Sequence, residues 1–288
     1  VAQLSERVQT LERRMDRADA RAQHHEVVQP GATETPRGED RRFLVWNAVG
    51  SLVSWEDGRR RVVEFAFADE TRPRLPRLND DVGFEFGALC DAGAALASRG
   101  KSASKRAAAD DVAAALAADA AQPEPEDDEL ARVRFLPFEE WTPESGWSMR
   151  LPRGEFVRAL AVGTSVCAVA TSRQMLRAVR PSSGLQEPPV MLPGPIVSLA
   201  ADGSRVLALH ALPELGVGYT LYEYGSAERA SAGPRVVTRG TLAPGTRVVW
   251  LSFADDTLGR MPVCMTADGL VLGLSVACDW QWVVLLDT

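Results

Sequence analysis

No apolar run in this chain reaches the roughly 18–20 residues that a membrane-spanning helix needs. The composition is instead that of a soluble globular protein, 45% hydrophobic and 25% charged. Cysteine is scarce: Cys90, Cys167, Cys264 and Cys278 are the four, and no two form a CxxC pair. A disulfide scaffold does not fit, and a reducing compartment does. Cys167, inside the apolar run Val166–Ala170, reads as a buried free thiol. The three histidines, His24, His25 and His210, stand at no metal-ligand spacing. No Walker-type loop is present, and no GxGxxG opens a helix. Gly163-Thr164-Ser165 and Gly203-Ser204 lack the GxSxG pattern of a nucleophile elbow. Basic residues are outnumbered, 32 against 39 acidic ones, and the net charge of −7 does not support a general nucleic-acid surface. The neighbouring carboxylates Glu139-Glu140 and Asp255-Asp256 make no acid–base pair. Adjacent residues on a strand point to opposite faces, and on a turn they are solvated. No catalytic group, cofactor or metal is expected.

What the chain does contain is strand text. Residues 1–23 are the exception. Val1, Leu4, Val8, Leu11, Met15 and Ala18 alternate at spacings of three and four, which predicts a helix. Its seam is about two and a half heptads long, so it is either a short self-associating coiled coil or a solvated linker helix. Residues 24–40, with Pro30, Gly31, Pro36 and Gly38 among charges, read as a linker. The chain starts at Val1 rather than at methionine and reads as a piece of a longer protein.

From Arg41 to about Leu96 the pattern is β. Val63, Phe65 and Phe67 alternate on one face, and Asp57-Gly58 and Asn79–Gly83 are turns. Residues 99–131 interrupt it. They open basic (Arg99, Lys101, Lys105, Arg106), run through alanines, and end acidic and proline-rich at Pro123–Glu129. With no bulky apolar residues to bury, this stretch reads as an exposed, largely disordered insertion. Its basic start could touch nucleic acid or an acidic partner, or could simply be a solvated loop end.

After Arg132 short strands return, among them Val133–Phe138, Val157–Val162, Val166–Ala170, Met175–Val179, Ile196–Ala200 and Val206–Leu209. Further ones follow at Tyr219–Tyr224, Val236–Arg239, Val248–Phe253, Val263–Thr266, Leu270–Leu274 and Trp282–Leu286. Asp202-Gly203 offers two residues able to take the positive φ of a primed hairpin turn. Leu192-Pro193-Gly194-Pro195 stops one strand and launches the next. Trp280 and Trp282 are expected on one strand face, as core packing. Without βαβ alternation the fold class is all-β: a propeller, sandwich or barrel. A blade repeat of about 40–45 residues favours a β-propeller of roughly five blades over residues 41–288.

Several segments resemble the middle region of the minichromosome loss family, which includes the fungal chromosome transmission fidelity factor and the animal acidic nucleoplasmic DNA-binding protein. The likeness starts at Phe43–Gly50, with Trp46 and Gly50, and continues through Val63–Phe65, Asp81-Val82-Gly83-Phe84, Ala88-Leu89 and Asp91–Gly93. It resumes at Phe138, Trp141 and Trp147. It is strongest across Leu151-Pro152, Ala161–Gly163, Ala168–Ser172 (including Ala170, Thr171 and Ser172), Leu176-Arg177 and Leu192–Ser198. It closes with Asp268-Gly269, Trp282-Val283 and Leu286–Thr288, covering about residues 26–288.

The resemblance implies a nuclear, non-enzymatic scaffold: a six-bladed propeller that forms a homotrimer. It further implies a replisome hub joining the replicative helicase, through its GINS subunits, to DNA polymerase α–primase, with a role in sister-chromatid cohesion. In the family the client peptides dock on a helical bundle that follows the propeller. This chain stops before that bundle and before the last part of the propeller. It also lacks the family's amino-terminal WD-repeat propeller and the HMG box of the animal members, and the insertion at 99–131 looks particular to it. The platform is therefore expected to be incomplete at its C-terminal side, with an open β edge liable to association. The competing function class is a propeller that binds DNA or chromatin directly.

Overall fold

The computed structural model describes residues 26–33, 41–58, 60–100, 130–142, 144–212, 216–225, 233–256 and 259–287. The helix expected at 1–23 and nearly all of the 99–131 insertion lie outside the described residues. Among those described, twenty strands form five four-stranded antiparallel sheets, each a meander of consecutive strands. The first holds β1 (Arg42–Trp46), β2 (Gly50–Asp57), β3 (Arg60–Phe67) and β4 (Leu78–Asn79). The second holds β5 (Phe86–Cys90), β6 (Gly93–Ala97), β7 (Arg132–Pro137) and β8 (Trp147–Arg150). The third holds β9 (Val157–Val162), β10 (Cys167–Thr171), β11 (Met175–Val179) and β12 (Val190–Met191). The fourth holds β13 (Ile196–Asp202), β14 (Arg205–Leu212), β15 (Gly216–Glu223) and β16 (Arg235–Thr241). The fifth holds β17 (Val248–Asp256), β18 (Gly259–Thr266), β19 (Leu270–Ser275) and β20 (Gln281–Asp287). The first strands of the five sheets line one axial cavity, which makes the sheets blades and the fold a β-propeller.

Why these sequences make blades is plain in the third one. Along β9, Leu160 and Val162 pack toward the second blade, while Ala159 and Ala161 pack toward the fourth. Along β10, Cys167 and Val169 face one way and Ala168 and Ala170 the other. Side chains alternate across a strand, so a blade covered on both faces needs an unbroken apolar run. Four such apolar layers join the blades in chain order: first to second, second to third, third to fourth and fourth to fifth.

A polar clip accompanies each layer. Trp141 Nε1 donates to the Pro76 carbonyl at 2.9 Å, and Trp147 Nε1 to that of Pro181 at 3.0 Å. The Ser165 amide donates to the Gly203 carbonyl at 2.9 Å, and the Tyr219 hydroxyl to that of Trp280 at 3.3 Å.

Two local expectations are corrected. In the hairpin after β13 only Gly203 has positive φ, +54°. Asp202 is the last strand residue and pairs with Arg205, so the two-residue loop is Gly203-Ser204 and a single glycine suffices. Trp280 is not on a strand. It sits with Asp279 in the left-handed region, at φ of 59° and 54°, in the turn before β20. Both Trp280 and Trp282 still pack on the layer between the fourth and fifth blades.

Candidate interaction surfaces

The residues singled out from the sequence do not converge on one site; they run from the first blade to the fifth. Gly50 opens β2. Gly83 donates its amide to Asp80 Oδ1 at 2.7 Å in the loop before β5, and the buried Phe84 amide reaches the same carboxylate. Leu151 is buried after β8, and the Pro152 carbonyl accepts from Glu155 in a turn. Ala170 and Thr171 are buried at the end of β10. Ser172 follows, its hydroxyl accepting from the Phe156 amide at 3.0 Å. Leu192 is buried, Pro193 and Pro195 are exposed, and Gly194 lies against the Ala211 carbonyl in the crossing from β12 to β13. Asp268-Gly269 form the β18–β19 turn. Trp282 stands edge-on to Tyr219, with ring centroids 5.5 Å apart.

Titratable groups in the interior are structural. Glu155 is held by Arg177 through two bonds of 2.9 and 2.7 Å, with only 1% of its side chain exposed. Burial alone would raise its pKa, but the hydrogen bonds and charge of Arg177 prevail and hold it below the usual carboxylate range. Arg180 pairs with Glu187 at 2.7 Å in the same blade. Burial pushes the Cys264 thiol up to about 12 and Cys167 higher still, so neither is a nucleophile at neutral pH. Glu139 and Glu140 are exposed on a one-turn 3-10 helix, and Asp255 is exposed at the end of β17. Among the described residues no group of three His, Cys, Asp or Glu is placed to hold a metal ion.

Among the described residues, two surfaces stand out. One is the axial mouth, a cavity of about 280 Å³ walled by the five first strands, with Trp46 69% exposed at its rim. Residues 29–31 close part of it. The other is the flank between the fifth and first blades. Among the described residues no buried apolar layer joins them, and apolar side chains stand uncovered on both. On the first blade these are Phe43 and Trp46; on the fifth they are Trp250, Met265, Leu285 and Leu286. The outer edge of the fifth blade is β20, seven residues long, where Val284 is 61% and Leu286 54% exposed. The other outer strands are two residues long (β4, β12) or carry arginines (β8, β16).

The family model described as the middle region of the minichromosome loss protein Mcl1 matches residues 26–288. The chain belongs to this family. The match takes in all twenty strands and the segment at the axial mouth. Among curated relatives, the Arabidopsis thaliana protein ENHANCER OF LHP1 1 is 26% identical over 230 residues, covering 79% of this chain and 21% of that protein. The Homo sapiens WD repeat and HMG-box DNA-binding protein 1 is 22% identical over 260 residues, covering 88% of this chain and 20% of its own length. The chain thus spans about a fifth of the curated relatives it matches. Among solved structures, the WD40 domain of Toxoplasma gondii coronin aligns with a TM-score of 0.49 at 10% identity, over 83% of this chain and 55% of that one.

Sequence reasoning missed the axial segment, because nothing local marks Gln29. It also missed the uncovered flank, which depends on how the blades are arranged rather than on any one strand.

Proposed function

We propose that this chain is a non-enzymatic assembly platform of the replisome. In this reading it is the propeller of a nuclear homotrimeric hub. The hub joins the replicative helicase, through GINS, to DNA polymerase α–primase and supports sister-chromatid cohesion. The observation that carries the reading is the family match over residues 26–288. The uncovered apolar flank supports it, because contiguous exposed apolar surface marks association sites. Client docking belongs to the whole protein, since the match covers only 21% and 20% of these relatives. The test is reconstitution of the full-length protein with purified GINS and purified polymerase α–primase on gel filtration. One peak containing all three is expected. Failure of either client to co-elute overturns the coupling role.

Direct binding of DNA or chromatin is the second reading, favoured by the name of the human relative, which describes a DNA-binding protein. The net charge of −7 opposes it. A salt-steep affinity of this chain for duplex DNA, lost on replacing Arg99, Lys101, Lys105 and Arg106, would favour it.

A further inference from the structure

Each first strand of a blade gives one edge to its neighbour in the sheet and turns the other toward the axis. Those inner edges carry backbone groups that need partners. One short segment supplies some of them on four of the five strands. The Val28 amide donates to the Val197 carbonyl at 2.8 Å, and the Ser198 hydroxyl donates back to the Val28 carbonyl at 2.9 Å. Val28 and Ser198 form an isolated parallel bridge, so the segment meets β13 at one register position.

Gln29 then reaches two blades at once. Its Nε2 donates to the Leu160 carbonyl at 2.7 Å and the Gly87 carbonyl at 3.1 Å, while its Oε1 accepts from the Leu160 amide at 3.0 Å. Gly31 turns the chain at φ of +74°, where an added Cβ would collide with the Trp46 carbonyl oxygen. Thr33 finishes on β1, its amide donating to the Phe43 carbonyl and its hydroxyl accepting from the Phe43 amide, each at 3.0 Å. In six residues the chain touches β13, β9, β5 and β1.

We propose that the axial mouth is an acceptor site for a short peptide that meets β13, presents a glutamine and then turns, and that residues 28–33 of this chain are its occupant in cis. The bridge to β13, one main-chain bond and one from the Ser198 hydroxyl, anchors the segment, and the amide seat at Leu160 provides the selectivity. The seat asks for two donors and an acceptor on one planar group, which a glutamine amide has. Glutamate lacks the donors and lysine lacks the acceptor. Filled, the site ties four of the five first strands together and acts as a clasp on the ring.

The test uses the full chain carrying Val28→Pro and Gln29→Met, which removes the amide donor and the side-chain amide together. A synthetic peptide of residues 26–33 is added in trans and followed by fluorescence anisotropy and by hydrogen exchange at Leu160. Saturable binding with about tenfold slowing of Leu160 exchange is expected, and about tenfold weaker binding for the same peptide with methionine in place of glutamine. Equal binding of the two peptides, or none, overturns the proposal. Should the double variant fail to fold, Gln29→Met alone in the full chain decides. Leu160 exchange rises about tenfold while Ala168 in β10 is unchanged, or the proposal falls.

Discussion

At the scale of single residues, the interior charges show how this fold uses ionisable groups. Glu155 sits in the turn that leads into β9, and Arg177 reaches it from β11, so the pair fixes the crossing from the second blade to the third. Leaving one partner of a buried pair alone typically costs about 3–5 kcal/mol. Glu155→Gln is therefore expected to lower stability by about 3 kcal/mol at pH 7, measured by urea unfolding. The pH dependence has a definite sign. The carboxyl pKa is lower folded than unfolded, so its stabilisation is complete above the unfolded value of about 4.3 and is lost as pH falls through the folded value. The Glu155→Gln variant should show a shallower loss of stability below about pH 4.3; an unchanged acid slope would remove Glu155 from this role.

Among the elements, the contrast between the third and fifth blades is the informative one. Every residue of β10 is buried, whereas β18 is exposed at Gly259 and Arg260 by the hairpin and again at Met265 beside the uncovered flank. Native-state hydrogen exchange should be slower for the amides of Ala168 and Val169 than for those of Cys264 and Met265. Equal protection would mean that the flank is covered in solution. The same contrast explains what was legible in the sequence. Val157–Val162 and Met175–Val179 coincide with β9 and β11, since short, mostly apolar runs between turn residues, each broken by one arginine, still mark strands covered on both faces. β6, Gly93–Ala97, lies at the end of the stretch that reads as β to about Leu96 but has no bounds of its own there, because alanines carry little strand preference, although all five residues are buried. β4 and β12 are two residues long and leave no period to read. Gln29 lay within a stretch read as a linker. Its partner Leu160 is 131 residues away, a separation that no local pattern encodes.

At the scale of the molecule, and among the described residues, five blades are joined by four buried apolar layers, and no such layer joins the fifth to the first. A long apolar edge strand such as β20 is usually shielded by charge, brevity or a partner. β20 is neither short nor shielded by charge along Trp282–Leu286. The blade count from residue arithmetic matches the five sheets, whereas the axial clasp and the uncovered flank emerge only when the blades are set around an axis. The proposed self-assembly through the propeller would appear in the solution mass of the chain. Light scattering on the chain, with and without residues 1–23, should give three times the mass of one copy in both forms, the full chain being 31.1 kDa. A mass of one copy in both forms, at every concentration, would contradict assembly through the propeller.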